Sequence, residues 1–222
     1  MLRRTAKLNL RRASTSTGSA CWLGLALLLL ANLASAQTLT VDETEALVRA
    51  HYFEGMPREE ALRIGPAGAR RLIEMLVDPG EHSSHGQIML ALGLSGSPEA
   101  MDAIQAWIEI PRVGEVDRHM FRAWQVLPYA LGHLARSDRR ALAQLDVLMK
   151  DGPPNWTFRQ HRGPRLGRMT RDAAVTSLAE TGMPEAGRIL DRVLRDATDV
   201  QFEQHLRDAR ARHRERAREV GR

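Results

Sequence analysis

One phrase occurs twice in this chain, and its recurrence restricts the fold more than any other feature. "LSGSPEAMDAI" begins at Leu94 and "ETGMPEAGRIL" begins at Glu180. Gly96, Pro98, Glu99 and Ala100 recur as Gly182, Pro184, Glu185 and Ala186, all at an offset of 86 residues. The apolar positions that follow keep the same offset, with Ile104, Trp107 and Ile108 answered by Leu190, Val193 and Leu194. Each copy carries the marks of a tight turn between two helices. Glycine suits the C-terminal side because it adopts a left-handed conformation at little cost. Proline suits the first turn of the next helix, where its missing N–H would have gone unused. Glu99 then faces the positive end of the helix dipole. Ser97 is expected at the N-cap, its oxygen accepting a free backbone N–H.

Looser copies fill the interval. "YALGHLARSDRRALAQLDVL" repeats the Ala-Leu-Gly of "LALGLSGSPEA" and places a turn at Ser137-Asp138, and "IGPAGARRLIEML" supplies Ile73, Leu76 and Val77 after Ala69. The alanine anchors Ala69, Ala100, Ala141 and Ala186 are separated by 31, 41 and 45 residues. A helix pair recurring at roughly 30–47 residues is the signature of an α-solenoid. One such pair cannot bury its apolar face alone, whereas stacked pairs can.

"ALGLSGSPEA", "ALGHLARSDRRA" and "SLAETGMPEA" resemble the inter-helix turns of HEAT-like repeats and of their relatives first described in phycobilisome lyases. The resemblance covers residues 57–196. It implies an all-α, short right-handed solenoid of about four helix pairs. The motif residues are structural in that family, so the resemblance assigns no catalytic residue. The uneven gaps depart from a regular tandem array.

Helices are expected over 42–54, 57–64, 66–77, 84–94, 98–109 and 116–135, the last of these containing Pro128, a kinking residue. Further helices follow over 138–149, 166–180 and 184–196, and a last one from about Asp199, where Thr198 and Gln201 have capping-box spacing. The composition agrees: Ala, Leu and Arg dominate the chain, Glu is frequent, and no stretch alternates with period two for long.

The N-terminus reads as a leader. "MLRRTAKLNLRR" is basic, "CWLGLALLLLANL" is apolar, and Leu33-Ala34-Ser35-Ala36 offers small residues at a cleavage site. This is the pattern of a secretory signal peptide over residues 1–36, cut after Ala36; retention as an anchor is the alternative. The apolar run falls short of the roughly 20 residues of a comfortable span. Three regions result: the leader 1–36, a helical repeat domain 37–198 and an arginine-rich helix or tail 199–222. The whole chain has 32 Lys and Arg against 27 Asp and Glu; the leader removes five of the basic residues and no acid, which leaves 27 against 27. A nucleic-acid footprint thereby loses its main support. The single cysteine, Cys21, leaves with the leader, so the remaining 186 residues offer neither a disulfide nor a thiolate metal site. These features point to the periplasm or the exterior of a Gram-negative cell.

Four places could carry function. In "EHSSHG", Glu81, His82 and His85 could supply three ligands of a metal-dependent hydrolase or lyase; the competing reading is a solvated polar turn, and no resident cofactor is assigned. In "NWTFRQHR", Trp156 and Phe158 lie among Arg159, His161 and Arg162, which is the chemistry of a protein-binding hot spot. The alternative is that both rings pack beneath the long 151–168 connection as a satellite core. On the second helices of the pairs, which line the concave side in HEAT-like arrays, Glu99, Asp102, Gln105 and Glu109 give way to Arg139, Arg140 and Gln144 and then to Arg188, Asp191, Arg192 and Arg195. A groove acidic at one end and basic at the other, engaging a protein partner, follows. The tail "RDARARHRERAREVGR" reads either as a capping helix with Glu203–Arg207, Asp208–Arg212 and Glu215–Arg218 pairs or as a contact for anionic lipid headgroups or an acidic partner. No nucleophile elbow is formed by "GLSGS", since Ser97 stands where that motif demands glycine. The function expected is an exported protein–protein interaction or scaffolding module, with a metal enzyme as the alternative.

Overall fold

The computed structural model describes residues 37–53, 55–150 and 154–221. The leader expected over residues 1–36 lies outside the described residues. Ten α-helices make up the described chain: α1 Val41–Arg49, α2 Arg58–Ala61, α3 Pro66–Val77, α4 His85–Ser95, α5 Ala100–Glu109, α6 Arg118–Leu134, α7 Arg140–Lys150, α8 Gly163–Thr181, α9 Pro184–Asp196 and α10 Val200–Val220. A 3-10 turn, Pro79–Ser84, leads into α4. The all-helical expectation holds, apart from one small addition: β1 Gly114–Glu115 pairs in parallel with β2 Trp156–Thr157.

The punctuation acts largely as the sequence suggests. Gly96 and Gly182 end α4 and α8 with φ of 64° and 65°, the left-handed conformation that glycine adopts freely. Two capping expectations are corrected. The Ser97 hydroxyl does not accept a backbone N–H; it donates to the Glu99 carboxylate at 2.8 Å, and α5 begins only at Ala100. That hydrogen bond holds the Glu99 carboxyl below its ordinary pKa. At α10 the cap is Asp199 rather than Thr198, its carboxylate accepting from the Phe202 N–H at 2.9 Å. At α6, which continues through Pro128, Asp117 accepts from the backbone N–H groups of His119 and Met120.

Helix α4 is apolar nearly all round, and Ile88, Met89, Ala91 and Leu92 are fully buried. A helix of that character belongs in the interior. It packs on α6 and α3, α6 packs on α8, and α8 packs on α10. Two of these contacts use small residues of the recurring triplets. Gly93 lies against the Ala130 backbone, and Gly132 lies against Ser177. The second members of the pairs are tied to one another by charge: Arg140 reaches Asp102 at 2.5 Å, Arg139 reaches Glu185 at 2.6 Å and Arg192 reaches Asp146 at 2.6 Å.

Helix α10 closes the end of the packing. Phe202, Leu206 and Ala209 are buried, and the His213 ring bonds to the Met183 carbonyl at 2.9 Å. Arg210 grips Asp191 through two nitrogens, at 2.5 and 2.8 Å. Of the charge pairs anticipated on this helix, Glu203–Arg207 forms at 2.5 Å. Asp208 instead accepts from Gln204 at 3.0 Å, and Arg216 pairs with Glu219 at 2.7 Å. No helix among the described residues is long and apolar enough to cross a membrane.

Candidate binding face around Tyr129

The two rings of the 151–168 connection are not surface anchors. Trp156 is 3 % exposed and Phe158 is 9 % exposed. They form a satellite core with Phe121 and Leu166. Local backbone pairing turns them inward: Val116 donates to the Thr157 carbonyl at 2.8 Å, and Phe158 and His161 exchange backbone hydrogen bonds at 3.1 and 2.8 Å. Phe158 then stacks on Phe121 with 4.1 Å between centroids, His161 stacks on Phe121 at 5.7 Å, and Trp156 meets Trp124 edge-on at 5.5 Å. The arginines stay outside. Arg159, with φ of 49°, lays its guanidinium over the Phe158 ring at 5.3 Å, and Arg162 is exposed just before α8.

The His82 and His85 rings meet edge-on with 5.2 Å between centroids, but Glu81 does not join them. Glu81 pairs with Arg49. His82 Nε2 meets the Asp117 carboxylate at 2.8 Å. His85 is buried and accepts at Nδ1 from the Trp107 indole at 3.3 Å. Burial, followed by the neighbouring His82, pushes the His85 imidazole below its ordinary pKa. Among the described residues, no group of three or more His, Cys, Asp or Glu side chains could hold a metal ion. Nor is the stretch a simple solvated turn, since it joins α1, α5 and α6.

Arg188 and Arg192 line a shallow groove of about 600 Å³ between α7 and α9, together with Arg139 and Arg195. Two acids lie in the same groove. Asp146 takes Arg192, and Glu185 takes Arg139 at 2.6 Å and Arg188 at 3.7 Å. The groove is therefore basic overall, but much of its charge is engaged in joining the two helices.

Three further concavities lie along α6. Between α6 and α8 lies a cavity of about 340 Å³ walled by Phe121, Trp124, Tyr129, Leu166 and Met169. Its wall is held in place: the Trp124 indole N–H donates to Thr170 Oγ1 at 2.9 Å, and that hydroxyl donates to the Leu166 carbonyl at 3.1 Å. Tyr129 is 44 % exposed and also lines two further cavities. One, of about 580 Å³, extends toward the end of α1 past His119 and Arg122. The other, of about 160 Å³, lies among Arg58, His133, Arg136 and Arg216. Tyr129 is thus the common rim of three hollows on the first helices of the pairs, not on the second helices where the repeat resemblance places the concave side. The sequence offered one signal for this face: Trp124, Gln125 and Tyr129 recur at helical spacing on a helix otherwise rich in small and aliphatic residues.

Comparison with family profiles, with curated proteins and with solved structures gives no match to this chain.

Proposed function

We propose that this protein is an exported α-solenoid of HEAT-like helix pairs, acting as a protein-binding or scaffolding module of the bacterial cell envelope, and that its partner docks on the face around Tyr129. The observation that carries the reading is the exposed Tyr129 ring at the junction of three hollows, beside an aromatic wall fixed by the Trp124–Thr170 bond. Rigid aromatic side chains in a concave, mostly apolar setting supply contact area at low entropic cost. The partner this face suits is a polypeptide segment presenting one large apolar side chain to the 340 Å³ cavity. The repeat reading draws support from the triplets "ALG", "ALG" and "SLA", whose small residues meet at successive helix contacts. The basic leader pattern supports export, which sequencing of the mature N-terminus checks: a start at Gln37 is expected.

The deciding experiment places a photo-crosslinking amino acid at Tyr129 and, separately, at Arg188 in cells. One protein captured from position 129 and not from position 188 is the expected result. Capture from position 188 alone moves the interface to the α7–α9 groove, the second reading, which the exposed Arg188 and Arg139 guanidiniums favour. Capture from neither position removes the scaffold reading.

A further inference from the structure

The smallest of the three hollows has a composition that partner docking does not account for. Its lining brings together Arg58 from α2, His133 and Gly132 from α6, Arg136 just beyond α6, Ser177 from α8 and Arg216 from α10. Three guanidiniums therefore converge from separate parts of the chain around about 160 Å³. One acid, Glu180, also lines the space, and Arg216 spends one nitrogen on Glu219. The balance stays positive. We propose that this hollow is a binding site for a phosphoryl group.

Three observations carry the assignment. The first is like-charge crowding. Burial and the proximity of Arg58 and Arg216 lower the pKa of Arg136, and burial with Arg58 and Arg136 lowers that of His133. Cations held against one another cost stability unless an anion lies between them. The second is unsatisfied donors. Ser177 is 2 % exposed, and its hydroxyl has no hydrogen-bond partner among the described residues; the buried Arg216 Nε likewise has none. A helical serine ordinarily bonds back to the carbonyl one turn earlier. Here that hydroxyl is unspent, on a residue that lines the hollow. The third is room: the hollow, at about 160 Å³, exceeds several times the ~30 Å³ that a water occupies in the liquid.

A phosphoryl dianion fits this set better than a single carboxylate. It presents three oxygens to guanidinium forks, and arginine binds such groups through paired N–H donors. The site does not depend on which protein docks beside it, so its test is separate from the crosslinking experiment.

Thermal unfolding and isothermal titration of the purified protein with inorganic phosphate, against chloride at matched ionic strength, decide the matter. Wild type is expected to gain thermal stability with phosphate and not with chloride. Arg136→Gln is expected to bind phosphate at least about tenfold more weakly, while its melting temperature without phosphate is no lower than wild type, because one of three crowded charges is gone. Arg58→Gln, on a different element, should lose the response as well, so a folding defect at one position cannot mimic the result. Equal responses to phosphate and chloride, or an undiminished response in both variants, overturns the site. Glycerol 3-phosphate separates the sources of the group. Competition with inorganic phosphate assigns a soluble phosphate ester. Retention on phosphatidylcholine vesicles containing phosphatidic acid, competed by glycerol 3-phosphate, assigns a lipid headgroup at the same site. Vesicle retention that glycerol 3-phosphate does not compete, with no response to soluble phosphate, overturns the proposal.

Discussion

A Cβ built on Gly93 would lie 2.4 Å from the carbonyl oxygen of Ala130. Helices α4 and α6 therefore meet backbone to backbone, and no side chain fits between them. Gly93→Ala forces the two helices apart in the centre of the core and should destabilise by about 3 kcal/mol, the upper end of overpacking costs. Gly132→Ala is the milder case, because its nearest neighbour is the Ser177 Cβ at 3.1 Å and a small shift relieves it. Urea denaturation of the two variants should rank Gly93→Ala well below Gly132→Ala; equal losses would show that the Ala130 backbone yields.

Asp117 has two tasks, capping α6 and receiving His82. Asp117→Ala removes both and should cost on the order of 1–2 kcal/mol. Asp117→Asn preserves a capping oxygen but not the charge facing His82. It should therefore keep most of the stability, because the cap is retained and an exposed ion pair contributes little. An Asn variant as unstable as the Ala variant in urea would place the main contribution in the ion pair rather than in the cap.

Both His85 and His133 have folded-state pKa values below the ordinary one of about 6.5, each chiefly through burial. The unfolded chain then binds protons that the folded chain refuses. Stability should rise with pH between the folded values and about 6.5, and fall as pH drops from about 6.5 toward them. Urea midpoints at pH 7.5 and 5.5 test this. The carboxylates held low, Asp117, Asp138 and Asp191 among them, contribute only at more acidic pH. A midpoint unchanged between 7.5 and 5.5 would mean that both imidazoles accept protons freely in the fold.

The connection before α8 separates packing from surface. Trp156→Ala empties the satellite core and should cost about 3–5 kcal/mol in whatever unit unfolds with it. Arg162→Ala should change stability by less than about 0.5 kcal/mol. Arg159→Gly replaces a residue in the left-handed region with the one that tolerates it, and should be neutral or slightly stabilising. Thermal melts followed by tryptophan fluorescence report all three; a destabilised Arg159→Gly would assign weight to the cation over Phe158.

Features confined to one stretch of chain could be read from the sequence. The bounds of α3 and α9 coincide with those expected over 66–77 and 184–196, because proline starts each helix and the apolar period runs undisturbed to its end. Gly96 and Gly182 take the left-handed turns that their repeated context implied. The errors arise where two distant stretches meet. Trp156 is buried because β2 pairs with β1, about 40 residues earlier, and no local pattern announces a two-residue strand. The Arg58, Arg136 and Arg216 cluster draws on three remote segments, and each arginine alone looks like solvated surface. Even Ser97, in the most informative motif, answers to Glu99 two residues on rather than to the backbone.

The junctions between successive pairs are unequal on their two sides. On one side α4 and α6 touch through the backbone at Gly93; on the other, α5 and α7 are joined by the exposed Arg140–Asp102 pair. The next junction repeats this, with Gly132 against Ser177 opposite the Arg139–Glu185 and Arg192–Asp146 pairs. Close van der Waals contact resists separation at any ionic strength, whereas exposed ion pairs weaken as salt screens them. The charged side of these junctions is therefore the side expected to yield first as salt rises.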